Sequence, residues 1–129
     1  MKFLLDTHIA IWAIAEPGKL TSETVGWITN PDYDIHVSIV ALWEIAIKRS
    51  AERRVASLPP VELAAAEFAA TGFGILPISL GPMLNVESMP FHHRDPLDRR
   101  MIAQAAAEGM IFLTADQKLA AYGHHVRVM

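Results

Sequence analysis

The sequence predicts an α/β fold with a parallel-dominated sheet covered on both faces, and three observations predict it. Short apolar runs alternate with helical segments from one end of the chain to the other. The runs at Phe3-Leu4-Leu5 and Met110 to Leu113 are apolar at every position, as strands buried on both faces are. No linker, repeat or low-complexity tract interrupts the 129 residues, 52% of them hydrophobic, so one domain over residues 1–129 with a sizeable core is expected.

Phe3-Leu4-Leu5 is closed by Asp6 and followed by Ile9 to Ile14, which Glu16-Pro17-Gly18 stops: strand, helix, turn. Thr21 or Ser22 can cap a second helix that ends before Asn30-Pro31. Ile35, Val37 and Ile39 alternate with His36 and Ser38, the period of a second strand. Val40 to Lys48 is apolar on nearly every face and predicts a deeply packed helix. After the basic segment Arg49 to Arg54, Pro59-Pro60 opens a helix over Val61 to Thr71 that Gly72 ends. Gly74 to Ile78 is a third strand, and Ser79 to Met89 a short helix leading to the loop Pro90-Phe91-His92-His93-Arg94. Asp95-Pro96 starts a long helix to Glu108, with Gly109 as terminator. Met110 to Leu113, Ala115 to Ala121 and Val126 to Val128 complete the series as strand, short helix and strand.

Eleven Lys and Arg against fourteen Asp and Glu give a formal charge of −3, so no global positive field gathers a polyanion and any nucleic acid must be met locally. The absence of cysteine excludes disulfides and thiolate zinc sites, and suits a reducing, cytoplasmic compartment. No apolar run approaches the ~18 to 20 residues of a membrane span, which predicts a soluble protein with no membrane partner. Met1 to Ala15 imitates a secretory signal, but Asp6 and His8 inside its apolar stretch argue against export.

The carboxylates are the informative residues. Asp6 is the only acid from Met1 to Ala15, Glu44 the only one from Ile35 to Ala51, and Asp116 the only one from Gly109 to Met129. Burying a carboxylate costs several kcal/mol unless it is paired, hydrogen-bonded or bound to a cation, and a metal ion would account for all three together. Asp6 and Asp116 each follow a predicted strand, where parallel sheets bind ligands. Asp95 and Asp98 open the long helix after the histidine loop. Each acid also has an ordinary structural role open to it: Asp6, Asp95 and Asp116 as helix caps, Glu44 as an i, i+4 partner of Lys48, Asp98 as a first-turn acid.

Seven of the eleven bases, Lys48, Arg49, Arg53, Arg54, Arg94, Arg99 and Arg100, lie just beyond Glu44 or around Asp95 and Asp98. A basic rim around an acidic centre suits a phosphate-containing substrate over a metal, although solvated helix faces would carry the same residues. Trp12, Trp27 and Trp43 fall in apolar helical patterns and are expected in the core. His92-His93 and His124-His125 are adjacent pairs whose side chains diverge, so a histidine zinc site is not expected, and an oxygen-rich set suits Mg²⁺ or Mn²⁺. Phosphate-cradling glycine motifs and a Gly-x-Ser-x-Gly elbow are absent from the sequence.

Four segments taken in order resemble the motifs of PIN-domain ribonucleases: Leu4-Leu5-Asp6-Thr7-His8, Ser38 to Lys48 with Trp43-Glu44-Ile45, His93 to Arg99, and Leu113-Thr114-Ala115-Asp116. More narrowly, the chain resembles VapC-type toxins of bacterial toxin–antitoxin pairs, from residue 3 to the end. The resemblance implies a three-layer α/β/α domain, a Mg²⁺- or Mn²⁺-dependent endoribonuclease acting on RNA, a homodimer, and a cognate VapB-like antitoxin. Carried over motif by motif, Asp6, Glu44, Asp98 and Asp116 match the acidic quartet that serves as catalytic and metal-binding set. Asp98 takes the third place because Ile102-Ala103-Gln104-Ala105 puts it at the family's spacing, with Asp95 kept beside it. Thr114 matches a hydroxyl position near the fourth acid.

Two other functions compete. An aspartyl phosphatase also places Asp after the first strand, but would carry a second Asp two residues on, where this chain has His8. A catalytically inactive PIN-like interaction module, binding protein or RNA with its acids serving only as caps and ion pairs, would show no metal-dependent activity.

Overall fold

The computed structural model describes residues 1–51, 58–93 and 95–129. Its strands are β1 (Lys2–Leu5), β2 (Asp34–Ser38), β3 (Gly74–Leu76), β4 (Ile111–Thr114) and β5 (Val126–Val128). Its helices are α1 (Thr7–Ala15), α2 (Ser22–Ile28), α3 (Ile39–Ala51), α4 (Val61–Thr71), α5 (Leu80–Ser88) and α6 (Pro96–Ala107), with 3₁₀ turns at Pro17–Lys19 and Gln117–Tyr122. All five strands are parallel, in the order β3-β2-β1-β4-β5. Because the chain steps one way from β1 to β3 and then crosses to the other side for β4 and β5, the order reverses between β1 and β4. Open parallel sheets form their binding crevice at such a reversal, outside the carboxyl ends of the strands.

Right-handed crossovers require the helices before the reversal to cover one face and those after it to cover the other. The packing agrees: α1 meets α3 and α4, whereas α5 packs on α6, which lies against β1 and β4. The sheet is therefore the middle of three layers. Phe3, Leu4, Leu5, Phe112 and Leu113 are wholly buried at its centre, which is why β1 and β4 read as unbroken apolar runs. Phe3 stacks on Trp27 with ring centroids 5.6 Å apart. Pairing is level at the carboxyl end: Leu5 lies opposite both Val37 and Leu113, and the Asp6 amide donates to the Leu113 carbonyl at 2.9 Å, carrying the ladder one residue past β1.

Local chemistry fixes the joints. Thr21 caps α2 through its side chain, and Gly72 ends α4 with φ +90°, a conformation that costs glycine little. The second strand stops one residue before the alternation does. Ile39 belongs to α3, not to β2, because the Ser38 hydroxyl accepts the Val40 amide at 3.0 Å and starts the helix at once. The third strand ends at Leu76, leaving Ile78 exposed, and the short helix expected over Ala115 to Ala121 is a 3₁₀ helix over Gln117–Tyr122. Helix α3 is not deeply packed all round: Val40, Ala41, Leu42, Glu44 and Ile45 are buried, but Ile39, Trp43 and Ile47 form an exposed stripe, so Trp43 is not a core residue. Arg53 and Arg54 lie outside the described residues, as does Arg94. No helix among the described residues is long and apolar enough to cross a membrane.

Candidate active site

Asp6 follows the last residue of β1, the central strand, and begins α1. Its Oδ1 accepts the Thr7 amide at 2.7 Å and its Oδ2 accepts the Thr114 hydroxyl at 2.6 Å. Thr114 ends the neighbouring strand β4 and also accepts the Asp116 amide at 3.0 Å. One fully buried hydroxyl thus ties together the carboxylate and the backbone at the two strand ends that flank the reversal. Asp116 in turn accepts the Lys118 amide through Oδ1 at 3.0 Å, and its Oδ2 stands 3.5 Å from His93 Nε2.

Glu44 comes from the second turn of α3 and is buried. Its Oε1 lies 3.5 Å from Lys48 Nζ, while Oε2 is buried with no hydrogen-bond partner among the described residues. Such an oxygen keeps the full cost of desolvation, and invites either a proton or a cation. Asp95 caps α6 by accepting the Leu97 amide at 2.9 Å, and Asp98 occupies the first turn of that helix. Helix α6 is held against the end of β2 by a buried polar pair: the Ser38 hydroxyl donates to Gln104 Oε1, and Gln104 Nε2 donates to the Pro77 carbonyl at 3.2 Å.

These elements converge on a cleft of about 310 Å³ at the carboxyl end of the sheet, lined by Asp6, Glu44, Asp95, Asp98 and Asp116 together with His8, Trp12 and Lys48. Ligand atoms of Glu44, Asp95 and Asp98 lie within 4.8 Å of one another, as do those of His93, Asp98 and Asp116, so Asp98 is common to both sets. Asp6 is in neither triad; it stands at the back of the cleft and acts on Asp98 through its charge. Burial, then the fields of Asp6, Asp95, Glu44 and Asp116, push the Asp98 carboxyl up to about 8. Burial also raises Asp6, outweighing the hydrogen bonds from Thr114 and Thr7 that favour its ionised form. Without a cation the cluster therefore retains a proton near neutral pH. A larger hollow of about 640 Å³ lies at the opposite end of the strands, between Ile28 to His36 and Thr71 to Gly74, and carries a single carboxylate, Asp34.

A family model of the PIN domain matches residues 3–124. The chain belongs to the PIN-domain family. Ribonuclease VapC22 of Mycobacterium tuberculosis (strain ATCC 25618 / H37Rv) is 30% identical over 124 residues, which cover 94% of this chain and 92% of that protein, and makes this a PIN domain of the VapC type. Two solved structures share the fold. VapBC2 from Rickettsia felis, bound to a DNA fragment from their promoter, superposes with a TM-score of 0.70 at 14% identity, covering 100% of this chain and 98% of that one. VapBC-1 from nontypeable Haemophilus influenzae does so with a TM-score of 0.66 at 15% identity, covering 99% and 98%.

In this PIN domain the four acids of the expected quartet, with Asp95, line one cleft, and all five take up their ordinary structural roles as well: Asp6, Asp95 and Asp116 cap the turns they precede, Glu44 pairs with Lys48, and Asp98 sits in the first turn of α6. Arg99 is not free for phosphate, since its guanidinium donates to the Val86 and Met89 carbonyls at 3.3 and 3.2 Å and lies over the Phe91 ring. His93 was passed over in the sequence because adjacent histidines diverge. Its backbone N–H donates to the Tyr122 hydroxyl at 3.0 Å, and its Nδ1 accepts the Asp95 amide at 3.0 Å, so the neutral ring carries its proton on Nε2, facing Asp116. Its place directly before Arg94-Asp95-Pro96 is the only sequence signal that could have marked it.

Proposed function

We propose that this VapC-type PIN domain, one domain over residues 1–129, is a divalent-metal-dependent endoribonuclease and the toxin of a cytoplasmic toxin–antitoxin pair. The observation that carries the proposal is the convergence of Asp6, Glu44, Asp98 and Asp116, with Asp95, on one cleft at the point where strand order reverses. The donor set fits Mg²⁺ or Mn²⁺: it is rich in carboxylate oxygen, the buried Glu44 Oε2 has no hydrogen-bond partner among the described residues, and Asp98 stays largely protonated near neutral pH until positive charge arrives. When bound, such an ion supplies Lewis acidity toward a scissile phosphodiester and toward water.

The chain's own residues do the remaining work. Thr114 holds Asp6 Oδ2 and the Asp116 amide at a fixed span, so the carboxylates need no rearrangement when substrate arrives. His93 presents a donor to Asp116, which is otherwise the most exposed of the quartet. Lys48, half exposed on the cleft wall, meets a backbone phosphate oxygen without reading sequence. In-line attack by water then leaves 5′-phosphate and 3′-hydroxyl ends. A VapB-like antitoxin would cover apolar surface and lay a charged segment into the cleft, and a second copy of the chain would cover the stripe Ile39, Trp43 and Ile47 on α3.

Cleavage of a mixed cellular RNA pool by the purified chain, with Mg²⁺, with Mn²⁺ and with EDTA, tests the activity. Discrete products that need the metal and vanish in Asp6→Asn and Asp98→Asn are expected; no product in either metal, from protein free of antitoxin, overturns it.

A further inference from the structure

The acidic cleft does not end at the carboxylates. A second hollow of about 280 Å³ shares His8, Trp12 and Lys48 with it and continues along the outer face of α1 to Glu16, Lys19 and Leu58. Trp12 is half buried: part of its ring packs on the core, and the rest borders both hollows. Its neighbours are those of a stacking platform. The exposed His8 ring stands 5.9 Å away, tilted by 55°, and Lys19 Nζ lies 5.7 Å from the indole centroid. Lys48 stands where the two hollows join.

We infer that Trp12, His8, Lys48 and the Lys19–Glu16 pair form a subsite for one unpaired nucleobase of the RNA, immediately beside the acidic cleft. The inference rests on the ribonuclease proposed above. Single-stranded RNA is held by aromatic faces that stack splayed bases and by cations on the flanking backbone, and this groove offers both on the wall of the acidic cleft. Trp12 supplies the π-face, and Lys48 the cation for the phosphate that joins the stacked nucleotide to the scissile one. At the far rim Lys19 Nζ and Glu16 Oε2, 2.8 Å apart, set a donor beside an acceptor, the pairing that meets the edge of a base. An acidic peptide would gain nothing from the indole face, and a basic one would meet two lysines. With a net charge of −3, no global positive field gathers the strand, which suits a local foothold of this kind.

The test uses a fluorescently labelled single-stranded octaribonucleotide of mixed sequence, titrated in EDTA with wild-type protein, Trp12→Ala and Trp12→Phe and followed by anisotropy. Circular dichroism establishes that each variant is folded. Trp12→Ala is expected to weaken binding about 5- to 150-fold, the range that loss of one stacked base gives, while Trp12→Phe keeps most of the affinity and duplex RNA competes poorly. In Mn²⁺, Trp12→Ala should raise KM and leave kcat within a small factor. A folded Trp12→Ala that binds like wild type, a Trp12→Phe that fails as badly as alanine, duplex competing as well as single strand, or no binding by the wild-type chain overturns the subsite. Wild-type cleavage assayed in parallel separates the two ideas: cleavage with Trp12-independent binding removes the subsite alone, and Trp12-dependent binding without cleavage in any metal removes the ribonuclease alone.

Discussion

Asp98 shows how much of the site is electrostatic. Its carboxyl has an ordinary value of 3.8 in the unfolded chain and about 8 in the folded one, so between those limits the folded state binds the extra proton. Its contribution to stability is therefore fully present below about pH 4 and lost as pH rises through about 8. In EDTA the melting temperature should fall across that window, and Asp98→Asn, neutral throughout, should flatten the fall and melt several degrees higher at pH 8. Scanning fluorimetry from pH 5 to 8 checks this, and an unchanged slope would contradict it. Thr114→Val keeps the shape but strands Asp6 Oδ2 and the Asp116 amide; a loss of about 1–3 kcal/mol is expected in urea unfolding, together with weaker RNA cleavage. Asp6, Glu44 and Asp116 were legible because each is the sole acid in a long apolar stretch. His93 and Gln104 were not, since their partners, Tyr122 and Ser38, are brought to them only by the fold.

At the scale of elements, periodicity found the segments, and side-chain hydrogen bonds decided where they end. The alternation Ile35, Val37, Ile39 runs one residue too far because hydrophobicity cannot register the Ser38 hydroxyl that starts α3. The exposed stripe on that helix was hidden for a related reason: an apolar residue looks the same in sequence whether a core or a partner covers it. Arg100 lies over the Trp43 ring and does not cover the stripe. Double substitution of Trp43→Asp and Ile47→Asp should convert a dimer to a monomer in sedimentation velocity while leaving the circular dichroism spectrum unchanged. A wild-type chain that already sediments as a monomer would remove the second copy from that face.

For the whole molecule, the alternation of strand and helix was enough to predict the parallel layered sheet, while the strand order that makes β1 and β4 neighbours came only with the structure. That order turns acids 110 residues apart in the chain into adjacent groups. A cation that binds only the assembled cluster must stabilise the whole fold, by about 2.7 kcal/mol at a hundredfold excess over its Kd. Mg²⁺ and Mn²⁺ should accordingly raise the melting temperature, and more at pH 8 than at pH 6, where the proton on Asp98 competes. Calorimetric titration at the two pH values measures the same linkage directly, and a pH-independent affinity would contradict it.

Three of the five carboxylates in the cleft also start the turns that follow them, each by accepting a backbone amide through one oxygen. A binding centre assembled from caps makes folding and chemistry share the same atoms, yet it also leaves them separable by a single substitution. Asparagine retains an oxygen for the amide and removes the charge. A lineage that lost its substrate could therefore silence this cleft through Asp-to-Asn changes at positions 6, 95 and 116 without unravelling a helix, and would survive as a folded scaffold that still fits its old partners.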